Sequence, residues 1–156
     1  MYVRTHGKNN KITKKELRNA ARYMAGLLMS DRLCDNILVH IHSVDNLRNS
    51  SFPCRGCMRA IGTKKPPRKF NVYIDSLMGK REQLLALAHE LTHVKQYAKA
   101  EVKELSNDKV KWLDEYHDDN IPYYFQPWEI ESHGLERGLV EYYKAWKTQQ
   151  ARMKRK

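Results

Sequence analysis

The chain has 156 residues, 41% of them hydrophobic, which is room for one domain with its own core. No run nears the roughly 18 apolar residues that a membrane span needs, and three cysteines exclude a full disulfide framework and point to a reducing, cytoplasmic setting. A net charge of +11 suits non-specific contact with nucleic acid, but no nucleic-acid-reading motif accompanies it, so it speaks of partner or location rather than chemistry.

Residues 1–12 read as a flexible basic lead, rich in Asn and Lys. Thr13 is placed to cap a helix running to about Ser30, with Glu16 three residues on to complete a capping box. Leu17, Ala20, Ala21, Met24, Leu27 and Leu28 form its packing stripe. Tyr23 to Met29 is apolar but short, and no signal peptide is expected there. The β-branched run Ile37 to Val44 predicts a strand, with His40 and His42 alternating onto one half-exposed face.

Phe52-Pro53 leads into a C-x-x-C pair, Cys54 and Cys57. Half a structural zinc site would need two further ligands, and a redox dithiol would need a helix start in a βαβ unit, so a surface turn is the expectation. Lys64, Lys65, Arg68 and Lys69 form a basic cluster split by Pro66-Pro67. With Lys8, Lys11, Lys14, Lys15 and Arg18 at one end, and Lys147, Arg152, Lys154, Arg155 and Lys156 at the other, it reads as solvated loop and tail. Phe70 to Asp75 is a second short strand.

A long helical pattern follows, Lys80 to Ala98, and it contains His89-Glu90-Leu91-Thr92-His93. At about 100° per residue, His93 lies only about 40° from His89, and Glu90 about 100° away. The apolar residues Leu84, Leu87, Leu91, Val94 and Ala98 fall on the opposite side. Two imidazoles one turn apart can hold one Zn²⁺, and Glu90 projects beside them as a candidate general base.

A catalytic zinc site takes three protein ligands and keeps one position open. Residues 101–126 are polar but carry Tyr116, His117, Tyr123, Tyr124 and Phe125, as a cleft rim able to supply a Tyr or His to an oxyanion would; which one stays open. Pro127 suits the first turn of the last helix, whose expected core stripe is Leu135, Leu139, Tyr142 and Trp146. Glu129 and His133 lie one turn apart on its flank, with Glu131 about 200° round from Glu129. Glu129 is the favoured third ligand, and His133, His117 and Glu131 are the alternatives. Gly134 and Gly138 would allow close helix approach. The domain is expected over 13–147, with 148–156 a basic tail.

An H-E-x-x-H helix followed by a helix bearing a ligand Glu resembles the gluzincin class of peptidases, which includes thermolysin. In that class a small and a polar residue follow the Glu at the third and fourth positions, and Glu129, Ser132 and His133 stand in that frame. The segment is also similar to the E-x-E-A-[ND] stretch of small phage and bacterial ImmA/IrrE-type metallopeptidases, whose first Glu is the ligand. The resemblance covers roughly residues 70 to 147 and rests on the two short motifs. It departs in three places: His133 stands for Asp or Asn, Lys95 for an apolar residue, and the stretch between His93 and Glu129 is longer than in thermolysin. SprT/Spartan-like proteases, which use a third His, are the rival family, but their four-cysteine ribbon is missing here.

The resemblance implies an α+β, zincin-like fold, with a small sheet packed on the H-E-x-x-H helix and a C-terminal ligand helix. In such folds a strand near that helix lines the cleft and pairs with substrate backbone, a role Val72, Tyr73 and Ile74 would fill. The function expected is zinc-dependent hydrolysis of a protein or peptide, with Zn²⁺ on His89, His93 and Glu129 and with Glu90 as base. Two other readings stand beside it: a basic protein that acts at nucleic acid, or on proteins bound there, and a low-turnover scaffold with a regulatory role.

Overall fold

In the computed structural model, residues 1–47, 54–105, 109–118 and 120–154 are described; Phe52, Pro53, Arg155 and Lys156 lie outside them. The elements in order are β1 (Tyr2–His6), α1 (Lys14–Leu28), α2 (Asp31–Cys34), β2 (Leu38–Val44), β3 (Gly56–Ala60) and β4 (Lys69–Asp75). After these come α3 (Lys80–Ala98), β5 (Val102–Leu105), β6 (Lys109–Trp112), β7 (Glu115–Asp118), a 3-10 turn (Tyr123–Phe125) and α4 (Pro127–Met153). The class is mixed α+β.

Strand alternation decides which side of the larger sheet is covered. Val3, Val39, Ile41, Phe70, Val72 and Ile74 are buried on one face, against α1 and α3. His40, His42, Asn71 and Tyr73 alternate with them and stay half-buried on the other. The order is β1-β2-β4-β3, parallel except for β3, which runs antiparallel to β4 at the edge. This moves the cleft-lining role. β4 is paired on both sides and has no free backbone for a substrate, whereas β3 is the open edge.

The flexible lead expected over 1–12 is corrected in its first half. Tyr2 to His6 forms β1, paired in parallel with Leu38 to His42. Parallel pairing joins segments far apart in the chain, so no local pattern announces it. Gly7 then turns the chain at φ 79°, where a Cβ would lie 2.2 Å from the Ser43 carbonyl oxygen. Thr13 caps α1 by accepting from the Glu16 amide at 3.1 Å. The Glu16 carboxylate does not close the box; it pairs instead with Lys80 of α3 and Lys147 of α4.

Helix α3 lies at the centre, packed by the sheet, α1 and α4, and is buried almost all round. It starts where Glu82 accepts from the Gly79 amide at 3.0 Å. It ends with Ala100 at φ 58° and a 2.8 Å bond from the Glu101 amide to the Gln96 carbonyl, a Schellman-type stop. On α4 the buried stripe is Trp128, Ser132, Leu139, Val140 and Tyr143: of the expected residues Leu139 is buried and Trp146 partly so, while Leu135 and Tyr142 face outward. The helix also runs on to Met153, through the start of the expected tail.

Residues 102–105, 109–112 and 115–118 form a second sheet, β5-β6-β7, antiparallel throughout, whose Val102 and Val110 pack with Trp128 at the start of α4. The basic clusters are partly structural as well. Arg18 donates to Thr5 at 3.0 Å, and Arg68 donates to the Ala98 carbonyl at 2.6 Å. Among the described residues, no helix is long and apolar enough to cross a membrane.

Candidate metal centre

The first turn of α4 packs across α3, and a fully buried glutamine ties the two together. Gln96 is fully buried and donates through Nε2 to the Trp128 carbonyl at 2.8 Å. Its Oε1 accepts from His93 Nδ1 at 2.8 Å. A proton fixed on Nδ1 leaves the Nε2 lone pair of His93 free and aimed into the cleft. Gln96 therefore sets both the imidazole and the turn that carries Glu129. His93 and Gln96 are three residues apart on one helix, a spacing at which side chains meet, and that was the available signal for this residue.

Three donors converge. His89 Nε2 and His93 Nε2 are 3.2 Å apart, Glu129 Oε2 is 3.2 Å from the first, and Glu129 Oε1 is 3.3 Å from the second. The ligand–ligand edge of a zinc tetrahedron, for bonds of 2.0–2.1 Å, is about 3.3–3.4 Å. The two imidazoles are thus one such edge apart, and each is about one edge from its own oxygen of the Glu129 carboxylate. Glu129 is buried, and its Oε2 has no aligned hydrogen-bond donor, a cost that a cation removes. Burial raises the Glu129 carboxyl, but the two imidazoles and the Tyr123 hydroxyl outweigh it and hold it well below the usual range. The residues fit a zinc ion.

The other third-ligand candidates stand elsewhere. Glu131 binds Lys95 at 2.6 Å and Gln96 at 2.9 Å. That pairing, with Glu101 at 2.7 Å, explains how a lysine is accommodated where an apolar residue was expected. His117 stands on β7 against Trp128. His133 stacks on His89 with ring centroids 4.6 Å apart and groups with Glu136 rather than Glu129.

Glu136 was not anticipated from the sequence. Its Oε2 lies 3.5 Å from His89 Nδ1, 3.7 Å from His133 Nδ1 and 3.6 Å from Arg55 Nη2. Position 133 holds His where the resembled families have Asp or Asn, and a carboxylate from one turn further along α4 stands beside the second nitrogen of His89. The signal was present only as spacing, Glu129 to Glu136 being two turns on one face.

Glu90 is 5% exposed and lines the same cleft, of about 630 Å³, with both imidazoles. Burial raises its carboxyl, His93 and His89 oppose this, and the Glu129 carboxylate adds to it. The net is a stronger base than a free glutamate. The opposite wall is the β3 edge. Cys54 and Cys57, expected in a surface turn, are half-buried cleft residues, and Cys57 lies in β3 itself. Burial, Cys54 and Glu90 push the Cys57 thiol up to about 11, so it stays protonated at neutral pH and is a weak nucleophile.

Gly56 is the point of closest approach. A Cβ there would lie 3.0 Å from the Tyr73 carbonyl oxygen and 3.1 Å from Glu90 Cγ and Oε1. Gly56→Ala is expected to displace Glu90 and to cost about 1–3 kcal/mol by overpacking, while the three donors are untouched. Thermal melting and zinc content would check this: a lowered midpoint with full zinc is the expected pair.

Of the aromatic residues between the ligand helices, Tyr123 and Tyr124 reach the cleft and Tyr116 does not line it. The Tyr123 hydroxyl stands 3.5 Å from His89 Nε2. Burial and the Glu129 carboxylate raise this phenol, so it remains a donor. Comparison with protein-family models, with curated proteins and with solved structures finds no significant match to this chain.

Proposed function

We propose that this chain is a zinc-dependent peptidase of gluzincin type on a zincin-like fold, working in the cytoplasm on a protein or peptide substrate. The observation that carries the reading is the triangle of His89 Nε2, His93 Nε2 and Glu129, with sides of 3.2–3.3 Å, in a cleft that also holds the buried Glu90. An open edge strand, β3, beside that cleft offers backbone groups to an extended substrate.

A zinc ion held there supplies Lewis-acid chemistry, polarising a carbonyl and acidifying a water. Glu90 is the base: its carboxylate takes a proton from the attacking water and delivers it to the leaving amine nitrogen. The phenol of Tyr123 donates to the oxygen of the scissile carbonyl as negative charge develops on it. Gln96 keeps the His93 proton on Nδ1, and Glu136 stands ready to do the same for His89. Tyr123→Phe should lower kcat about 10²-fold and leave zinc content at the wild-type value, as for removal of one oxyanion donor. Steady-state kinetics with elemental analysis would read both.

Zinc affinity should fall in acid. Burial lowers the His93 imidazole, but Glu129 and Glu90 outweigh it and raise it above the ordinary value. A raised imidazole takes up its proton more readily than a free histidine, so protons compete with zinc there and the apparent zinc affinity should weaken as pH falls. A zinc affinity measured across pH would show it; an affinity that does not change with pH contradicts the assignment. The test of the function as a whole is elemental analysis of the purified protein together with cleavage of a proteome-derived peptide library. Stoichiometric zinc and specific cleavage support it, and zinc without any cleavage would favour a scaffold role.

A further inference from the structure

The half-buried face of the larger sheet holds a second histidine cluster, none of whose members lines the cleft. β1 and β2 pair in parallel with His6 opposite His42 and Arg4 opposite His40. Successive side chains alternate between faces, so His6, His40 and His42 all project away from the core. His6 Nε2 is 3.0 Å from His40 Nδ1, and one nitrogen from each of the three rings lies within 4.8 Å of the others. His6 stacks on both neighbours, with centroids 5.2 Å and 4.7 Å apart.

The third ring is oriented from behind. His42 Nε2 stands 3.1 Å from Asn71 Oδ1 on β4. A carbonyl oxygen cannot donate, so the proton sits on Nε2 and the Nδ1 lone pair is free. A ring nitrogen fixed in this way by an amide or carboxylate oxygen is the arrangement metal-binding histidines use. Tyr73 stacks on the far side of His42 at 4.9 Å and limits its swing. Among the described residues no acidic group belongs to the cluster, so the donor set is three imidazoles, which suit zinc, copper or nickel rather than calcium or magnesium.

We infer that His6, His40 and His42 form a second transition-metal site, for zinc or a related divalent ion, that clamps the N-terminal strand β1 to β2. No pair has to close by more than roughly 1.5 Å to reach the edge of a tetrahedral shell. His6 is exposed and at the end of its strand, so side-chain rotation supplies that movement. The clamp stabilises the folded chain by linkage, since both strands must be paired for the three rings to meet. Asn71 is a positioning residue here, and Asn71→Ala should weaken binding about 10-fold or more.

The test is zinc counting on the tag-free full-length chain, dialysed against about 10 µM zinc, where a site of micromolar affinity or tighter fills. Two zinc ions per chain are expected for wild type, one for His40→Asn, one for His89→Ala, and none for the double variant. His40→Asn should keep the wild-type hydrolysis rate. If the catalytic centre binds no zinc, the counts become one, none, one and none, so failure of that reading is distinguishable. His6→Asn, altered at an exposed ring, repeats the loss should His40→Asn fail to fold. His89→Ala protein without zinc overturns the second site, as does a folded His40→Asn or His6→Asn chain with the wild-type count.

Discussion

Glu90→Gln should bind zinc as the wild-type chain does and hydrolyse peptides about 10²–10⁴-fold more slowly, the range for loss of a positioned general base. The amide keeps the shape of a side chain that is almost wholly buried, and the donor triangle is made by His89, His93 and Glu129. It cannot accept the proton. Little change in KM is expected, because the lost interaction is made in the transition state. The measurement is kcat and KM with zinc content on the same preparation. Wild-type turnover with zinc in place would remove Glu90 from the reaction.

Glu129→Ala should have the larger effect on the metal itself. The carboxylate is the one charged donor of the three, and both imidazoles stand 3.2–3.3 Å from it. Without it the two histidines alone make a weak site, and zinc should be lost on dialysis along with all measurable hydrolysis. Glu131→Ala is the matched control. Its carboxylate serves Lys95 and Gln96, so that variant should keep zinc and lose stability instead, by an amount of about 1–3 kcal/mol for a partner left unpaired. Elemental analysis and thermal melting of the two variants separate a ligand from a structural carboxylate. Full zinc and full activity in Glu129→Ala would end the assignment.

Both bounds of α3 and the start of α4 were readable because their signals are local: a periodic apolar stripe, and a proline at a first turn. The pairing of His89 with His93 was readable for the same reason. What escaped was set by distant partners. β1 depends on β2, and which of β3 and β4 forms the edge depends on pairings that span the cleft wall. The outward turn of Leu135 and Tyr142 follows from where α3 touches α4, which no helical wheel of α4 alone contains. Between the ligand helices, Lys109-Val110-Lys111-Trp112 does alternate, yet polarity on both sides of so short a strand hid the second sheet. Glu136 and Gln96 each carry a spacing signal, but spacing alone does not say that the first reaches across a helix contact toward His89 or that the second turns back one turn to His93.

The place of Glu129 in the opening turn of the final helix has a consequence for biosynthesis. A growing chain displays both imidazoles long before the last donor has been translated, and α4 cannot dock until Gln96 meets the carbonyl of Trp128. On the proposed function, a ribosome-bound intermediate thus carries the motif but no working centre, and an unfinished molecule cannot digest its neighbours.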